Sequence, residues 1–200
     1  MIIDNIKAII NPDVSIEVID KNGHGTIILA ENAREAKLKQ IILRGFDTHQ
    51  TFAFKLDVAG KRISEYLNPS AEKINKGCDG IIFTSIKNQW YVFICELKSG
   101  KPNETKYLLQ FRNSYIFVKF LSAILEEFYS INLIENCSIK YILFDKQQKN
   151  RLNKTLVKGH KIEPEMIVSE DNKIFYVYKI HHLRENEFLN IRHLKLNSGG

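Results

Sequence analysis

Short runs of alternating or continuous hydrophobic residues predict a series of β-strands along the chain. Residues 14–20 and 26–30 flank Asn22-Gly23, a pair typical of the tight turn in a β-hairpin. A second hairpin is predicted from two strongly apolar stretches around Lys87-Asn88-Gln89. The strands predicted beyond the first hairpin are 51–58, 81–86, 90–97, 139–144 and 174–180.

Two segments have the composition and periodicity of helices. Residues 31–44 are rich in Ala, Glu, Lys, Leu and Arg, and Gly45 is a suitable C-cap. Residues 103–129 predict a long helix with Asn103 as N-cap, and its two apolar stripes predict a largely buried element. The order helix, three strands, helix, strand predicts an α/β fold with a mixed central sheet flanked by helices.

Length and composition fit one globular domain spanning residues 1–200. The chain has 200 residues, of which 44% are hydrophobic and 26% charged, so disorder is not expected. We expect the core at about 31–145, with an N-terminal hairpin and a C-terminal strand as additions. The net charge of +6 favours a polyanionic partner.

The sequence also predicts a cytoplasmic protein without a membrane span. The N-terminus lacks a basic region followed by a long apolar stretch, and the most apolar segment, 115–125, is short and contains Lys119. The three cysteines are an odd number without zinc-ligand spacing, so neither a disulfide framework nor a structural zinc site is expected.

The second hairpin carries the residues most indicative of chemistry: Asp79, Glu96 and Lys98. Glu96 and Lys98 are two residues apart and therefore project from one face of their strand. With Asn88-Gln89 as a two-residue turn, Asp79 lies opposite Lys98, and all three side chains converge. A divalent cation such as Mg²⁺ suits two such carboxylates, and the Leu97 carbonyl can add a ligand.

This arrangement resembles the PD-(D/E)XK nuclease superfamily, which has the restriction-endonuclease-like fold. The matching residues are Asp79 and the run Glu96-Leu97-Lys98 at a strand end, followed by a long helix. The resemblance implies an αβββαβ core. It also implies that Asp79 and Glu96 bind Mg²⁺ or Mn²⁺, that Lys98 assists the attacking water, and that Gln110 on the long helix belongs to the site. Cys78 stands where the superfamily's motif has proline.

Many members of the superfamily add an acidic residue from the first helix. Glu35 is the first candidate because it shares a helical stripe with Leu38 and Ile42, and Glu31 and Glu65 are the alternatives. A carboxylate at the edge of that stripe, paired with Lys39, is the structural alternative. The number of metal ions therefore stays open.

Residues 146–161 are strongly basic and contain no acidic residue. They predict either a loop that contacts nucleic-acid phosphates or a solvated surface loop. The residues proposed for nucleic-acid binding are Lys149, Arg151, Lys154 and Lys158.

Together these features predict a Mg²⁺-dependent endonuclease acting on double-stranded DNA. The family resemblance implies a role in restriction or phage defence and a dimeric state, with an activating partner chain or ligand as a further expectation. The alternatives are a catalytically silent domain that binds nucleic acid or a partner protein, and an RNA-cleaving toxin. The sequence does not distinguish DNA from RNA.

Overall fold

A computed structural model describes residues 2–31, 38–61, 63–68, 70–71, 73–146, 161–181 and 188–196. Three α-helices, two short 3₁₀ helices (Pro12–Val14 and Ile191–His193) and eleven strands are found in these ranges. The α-helices are α1 (Ile2–Ile9), α2 (Glu104–Tyr129) and α3 (Leu133–Asn136). The strands are β1 (Ser15–Ile16), β2 (Val18–Lys21), β3 (His24–Ala30), β4 (Gln40–Phe46), β5 (Thr51–Phe54), β6 (Gly80–Ile86), β7 (Gln89–Lys98), β8 (Cys137–Asp145), β9 (Glu165–Val168), β10 (Ile174–His181) and β11 (Phe188–Asn190).

The strands form two sheets. Seven strands make a mixed sheet in the order β1-β5-β6-β7-β8-β10-β9, with β7 at its centre. The remaining four make a second sheet in the order β11-β4-β3-β2. Strands β5, β6 and β7 are antiparallel neighbours, whereas β7 and β8 are parallel because α2 connects them as a crossover. The predicted α/β class with a mixed sheet is therefore confirmed.

The large sheet has a separate hydrophobic core on each face. On one face, Val92 and Ile94 of β7 pack in a cluster with residues of α1 and α2 such as Ile6 and Phe111. On the other face, β7 contributes Phe93 to a cluster that includes residues of the four-stranded sheet. Burial on both faces explains why β7 is an almost continuous apolar run. Charged groups of β7 that face the helices are consequently enclosed.

The prediction of a helix at 31–44 is wrong at residues 40–44. Residues 40–46 form β4, which pairs with β3 and β11, and residues 32–37 lie outside the described part of the chain. Ile41 and Leu43 are buried at a spacing of two, so the strand period prevails over a composition that favours helix. Gly45 is not a C-cap. It has a positive φ of 96° within β4 and lies against Asn190.

The long helix is confirmed, with a correction to its burial. The Asn103 side chain accepts a hydrogen bond from the Lys106 N–H at 3.0 Å, as expected of an N-cap. One apolar stripe, including Phe111 and Leu125, is buried. The second is not, since Ile116 and Phe120 are exposed. The helix covers the sheet with one face only.

The first hairpin is confirmed as β2 and β3, joined at Asn22 and Gly23, both with positive φ. The strand predicted at 51–58 is shorter and ends at Phe54. In the described ranges, no helix is both long enough and apolar enough to cross a membrane.

Candidate active site

The hairpin of β6 and β7 positions the first two candidate residues. Every second residue of β7 points to the same face of the sheet. Glu96 and Lys98 continue the series of Val92 and Ile94 and therefore face α2. The strand pairing ends with Gly80 opposite Cys95, and its continuation places Asp79 beside Glu96. Asp79 thus lies on the same face as Glu96 and Lys98.

The turn of this hairpin is one residue earlier than predicted. Lys87 and Asn88, with φ of 52° and 63°, occupy the two turn positions instead of Asn88-Gln89. The earlier turn moves each pairing by two residues, so Asp79 lies opposite Glu96 and not opposite Lys98. Because side chains alternate with a period of two, this shift leaves the same residues on the same face.

Asp79 is a buried carboxylate, only 5% exposed, that is held by the backbone of β7. Its Oδ2 accepts a hydrogen bond from the Leu97 N–H at 2.7 Å. Burial raises the pKa of Asp79 to about 6, and the negative charges of Glu31 and Asp57 act in the same direction. The Leu97 N–H and the charge of Lys98 oppose this rise.

Glu96 is still more enclosed, at 1% exposure. Its Oε1 forms an ion pair with the Lys98 ammonium, whereas its Oε2 is buried without a nitrogen or oxygen donor among the described residues, and the Cys78 thiol interacts with the same carboxylate. Burial, followed by the charge of Asp79, raises the pKa of Glu96 to about 8, although Lys98 opposes the rise. A buried carboxylate oxygen without such a donor is costly to the fold.

Lys98 is held between the sheet and α2. Besides Glu96, its ammonium donates to Oε1 of Gln110 at 2.8 Å. The Gln110 amide in turn donates to the Gly77 carbonyl at 3.1 Å. The structure therefore brings together the four side chains proposed from the sequence for catalysis: Asp79, Glu96, Lys98 and Gln110.

Helix α2 also fixes the segment that precedes Asp79. The buried Asn113 amide donates to the carbonyls of Lys73 and Lys76 at 2.8 and 3.0 Å. Next to Asn113 on the helix, the Ser114 hydroxyl accepts from the Cys78 N–H at 2.9 Å. These contacts orient the chain as it enters β6, and with it the carboxylate of Asp79.

Of the three candidates for a further acidic ligand, the structure describes Glu31 and Glu65. Glu35 lies outside the described residues, and Glu65 is exposed and does not line the cleft described below. Glu31 follows β3, whose Leu29 packs so closely on Gly80 that a Cβ there would lie 2.7 Å from Leu29 Cδ2. This close packing brings Glu31 near enough to Asp79 to raise its pKa.

Asp57 was missed by sequence reasoning. The backbone N–H groups of Leu56 and Asp57 both donate to the Cys78 carbonyl at 3.4 Å, which places Asp57 next to the site. A carboxylate three residues after the end of a buried apolar strand was the available signal. Because the strand was predicted at 51–58, Asp57 was assigned to the strand and not to the segment that follows Phe54.

A cleft of about 400 Å³ opens beside Lys98 and Gln110. Asp57 lines it, as do the basic residues Lys76 and Lys106, which sequence reasoning also missed. Lys76 lies three residues before Asp79, whereas Lys106 belongs to α2 and comes to the cleft through the packing of that helix over the sheet. The cleft therefore combines one carboxylate, that of Asp57, with the ammonium groups of Lys76, Lys98 and Lys106.

The basic loop proposed for nucleic-acid binding cannot be placed. Lys149, Arg151, Lys154 and Lys158 lie outside the described residues. A larger cavity of about 940 Å³ lies at the opposite end of the hairpin, beside Lys87 and Asn88. Its lining includes none of the four residues proposed for catalysis, so its size does not make it the candidate site.

The donors at Asp79 and Glu96 fit a hard divalent cation. They offer carboxylate oxygens, the ligand type that such a cation prefers. The Leu97 N–H donates a hydrogen bond to the Asp79 carboxylate. Within the described ranges, no three side chains of the His, Cys, Asp and Glu types form a metal-ligand group. A cation here would rest on the Asp79–Glu96 pair, with water completing its coordination, as Mg²⁺ commonly accepts.

Comparison of the chain with protein-family models, with curated proteins and with solved structures gives no match. The case for a function therefore rests on the geometry of the site and on the resemblance of its motif.

Proposed function

We propose that the protein is a metal-dependent nuclease that hydrolyses phosphodiester bonds, with DNA as its substrate. The observation that carries the proposal is the buried Asp79–Glu96 pair, with a Glu96 oxygen that lacks a nitrogen or oxygen donor among the described residues, beside the Lys98 ammonium. Isolated buried carboxylates destabilise a fold, and a bound divalent cation removes that cost. Hydrolysis of a phosphodiester is promoted by such a cation and a nearby positive charge.

Asp79 and Glu96 would hold the metal ion, which would supply Lewis-acid activation of water and of the phosphoryl oxygen. Lys98 has a separate role. Its ammonium, fixed by Gln110, orients the attacking water and stabilises negative charge that develops on the phosphoryl group. Gln110 acts as a positioning residue because it reaches the site through Lys98 and the Gly77 carbonyl.

The topology supports the same proposal. Helix α1, the antiparallel strands β5, β6 and β7, the helix α2 and the parallel strand β8 follow one another in the αβββαβ order implied by the resemblance. Helix α1 takes the place of the helix predicted at 31–44. The segment between α1 and β5 supplies β1 and three strands of the second sheet.

The test is incubation of the purified protein with supercoiled plasmid, linear duplex DNA and single-stranded RNA. Each is assayed with Mg²⁺, with Mn²⁺ and with a chelator. We expect metal-dependent cleavage of DNA, and nicking of closed circular plasmid identifies an endonuclease. Cleavage of RNA alone would favour the RNA-directed toxin, and cleavage unaffected by the chelator would contradict the metal-dependent mechanism.

One observation favours a second candidate, a nuclease-like domain that binds nucleic acid without cleaving it. In the described part of the chain, only two carboxylates converge on the proposed metal position as buried neighbours. Calorimetric titration with Mg²⁺ and Mn²⁺ separates the two candidates. A nuclease binds the metal through Asp79 and Glu96 and loses this binding in Glu96→Ala, whereas a silent domain shows no such binding.

A further inference from the structure

The cavity of about 940 Å³ at the turn end of the β6–β7 hairpin is bordered by both sheets. Tyr91 reaches it from β7 of the large sheet, and Gly45 from β4 of the second sheet. We call it the inter-sheet cavity. Its volume lies within the range of roughly 300–1,000 Å³ that is typical of small-molecule sites. The proposed nuclease mechanism does not use it.

The lining of the inter-sheet cavity carries an excess of positive charge. Its described side chains include Lys87 in the hairpin turn, Lys161 and Arg192, against one carboxylate, that of Asp47. None of these three cations forms an ion pair with another described residue. The Asp47 carboxylate already accepts hydrogen bonds from two backbone N–H groups of its own turn, at 2.8 and 3.1 Å. Cations without a carboxylate partner favour an anionic ligand.

Backbone hydrogen bonds hold two of these cations beside the cavity. The Ile162 N–H donates to the His193 carbonyl, and the Lys195 N–H donates to the Ile162 carbonyl, both at 2.8 Å. These bonds join two segments that are distant in sequence and place Lys161 next to the segment that carries Arg192. Both side chains are exposed, but the backbone that presents them is fixed.

Tyr91 adds a polar group from a buried side chain. The residue is 4% exposed and lies on the face of β7 that packs toward the second sheet. Its hydroxyl makes no hydrogen bond within the described part of the chain. Burial raises the pKa of Tyr91 above its ordinary value, so the hydroxyl stays protonated at neutral pH. It is therefore placed to donate a hydrogen bond to a ligand in the cavity.

Amide and apolar side chains complete the lining. Gln50, Asn88 and Gln89 contribute amides, and Leu194 and Leu196 contribute apolar surface. A side-chain amide both donates and accepts hydrogen bonds, which matches the polar edge of a nucleobase. Leucine side chains can pack against the flat face of such a ring. Together with the cations, these groups suit a ligand that has both a phosphate and a base.

We propose that the inter-sheet cavity binds a free nucleotide, with its phosphate groups at Lys87, Lys161 and Arg192. The Tyr91 hydroxyl donates to the ligand, and the amides contact its base. A free nucleotide is favoured over the backbone of a nucleic acid because the cavity lies between two sheets and has the volume of a small-molecule site. This site is separate from the one proposed for phosphodiester hydrolysis, and neither proposal depends on the other.

The experiment titrates the purified protein with ATP, GTP, CTP and UTP by isothermal titration calorimetry, up to millimolar concentration. EDTA is present throughout, so that no nucleotide binds through a cation at the proposed metal site. Inorganic phosphate and the four nucleosides are titrated separately. The variants are Arg192→Ala, Lys87→Ala and Tyr91→Phe, and Lys7→Ala, at an exposed position of α1, is the matched control. Thermal melting verifies that each variant is folded.

We expect at least one nucleotide to bind the wild type more tightly than its nucleoside or inorganic phosphate does. Arg192→Ala and Lys87→Ala should each weaken its binding about ten-fold, the scale of one charge-assisted hydrogen bond. Tyr91→Phe should weaken it about five-fold, the scale of one neutral hydrogen bond. Lys7→Ala should match the wild type.

Two-dimensional NMR of the wild type locates the bound nucleotide without any variant. The amide signals of residues 85–91 and 192–196 should shift when the nucleotide is added, and those of residues 96–98 should not. Shifts confined to residues 96–98 would place the nucleotide in the cleft beside Lys98 and overturn the inference.

Absence of binding by all four nucleotides would also overturn the inference, and it would leave the nuclease proposal to be decided by plasmid cleavage. Equal weakening by Lys7→Ala and Arg192→Ala would mean that the nucleotide responds only to the general charge of the protein. If duplex DNA displaces the nucleotide and Arg192→Ala weakens DNA binding to the same degree, the cavity contacts nucleic-acid phosphates, and a free nucleotide is not its ligand.

Discussion

Glu96 shows most clearly that this site is not optimised for stability. Its carboxylate is almost fully enclosed, one oxygen lacks a nitrogen or oxygen donor in the described structure, and Asp79 adds a second negative charge. An apolar or neutral side chain would satisfy the fold at lower cost. Residues that destabilise a protein in this way are characteristic of functional sites.

This cost predicts a pH-dependent effect of Glu96→Gln. The pKa of Glu96 is about 8 in the folded protein, above the ordinary glutamate value of 4.5, so folding favours the protonated form. The metal-free wild type should therefore lose stability progressively as pH rises from about 4.5 to about 8. Thermal melting in chelator should show Glu96→Gln to be more stable than the wild type at pH 8, with the difference shrinking at pH 5.

Two comparisons check that prediction. Mg²⁺ should raise the melting temperature of the wild type and not that of Glu96→Gln, because bound ligand stabilises only a protein that binds it. Glu126→Gln, at an exposed position of α2, should follow the wild type at every pH. Equal melting curves for Glu96→Gln and the wild type at pH 8 would show that ionisation of the buried Glu96 carboxyl does not cost stability.

Substitutions of Lys98 and Glu96 should affect cleavage rate and metal binding differently. Lys98→Ala should reduce the rate of DNA cleavage by roughly 10²-fold or more, about 3 kcal/mol, the scale for loss of one preorganised electrostatic group. Metal binding should survive, since Lys98 is not a ligand. Glu96→Ala should abolish both cleavage and metal binding. Rates, metal titrations and melting curves of both variants provide the test, and full cleavage by Lys98→Ala would remove Lys98 from the mechanism.

At the level of elements, the hairpin could be predicted from sequence and the neighbouring sheet could not. Strands β6 and β7 are continuous apolar runs, and a turn error of one position still left Asp79, Glu96 and Lys98 on one face. Residues 31–44 have a helical composition, and the strand that forms at 40–46 depends on pairing with β3 and β11. Local pattern carries no information about such partners.

The same distinction explains which site residues were found. Asp79, Glu96 and Lys98 belong to one hairpin, where strand alternation fixes their mutual geometry. Lys106 joins the site only through the packing of α2 on the sheet, which sequence alone does not specify. Glu31 was assigned to the helix predicted at 31–44, but it directly follows β3, and its charge acts on Asp79 from there.

The anchoring of the 73–78 segment by α2 leads to a prediction for Asn113→Ala. The change leaves the carbonyls of Lys73 and Lys76 without their donor, at a cost of about 1–3 kcal/mol. We expect faster proteolysis and faster hydrogen exchange at 73–78, together with slower DNA cleavage. Lys119→Ala, on the exposed side of α2, is the matched control. Unchanged exchange in 73–78 would show that these hydrogen bonds do not hold the segment.

At the scale of the whole molecule, the question is which basic residues would contact the phosphates of a nucleic acid. The net charge is +6, and release of counterions from a nucleic acid depends on how many cations contact phosphates. Two sets of basic residues compete for this role. One is the cleft pair Lys76 and Lys106, and the other is the loop set Lys149, Arg151, Lys154 and Lys158.

Salt dependence of DNA binding distinguishes the two sets, because the slope of log affinity against log salt falls by roughly one for each phosphate that the protein no longer neutralises. Lys76→Ala with Lys106→Ala should reduce the slope by about two and weaken binding uniformly across sequences. Replacing the four loop residues with Ala should also reduce the slope if the loop contacts DNA phosphates, and should leave the slope unchanged if the loop is only solvated.

Lys7→Ala with Lys119→Ala, at exposed positions of α1 and α2, controls for the change in net charge. A slope that falls equally in the control and cleft variants would mean that the charge acts through the general field of the protein and not through phosphates bound in the cleft.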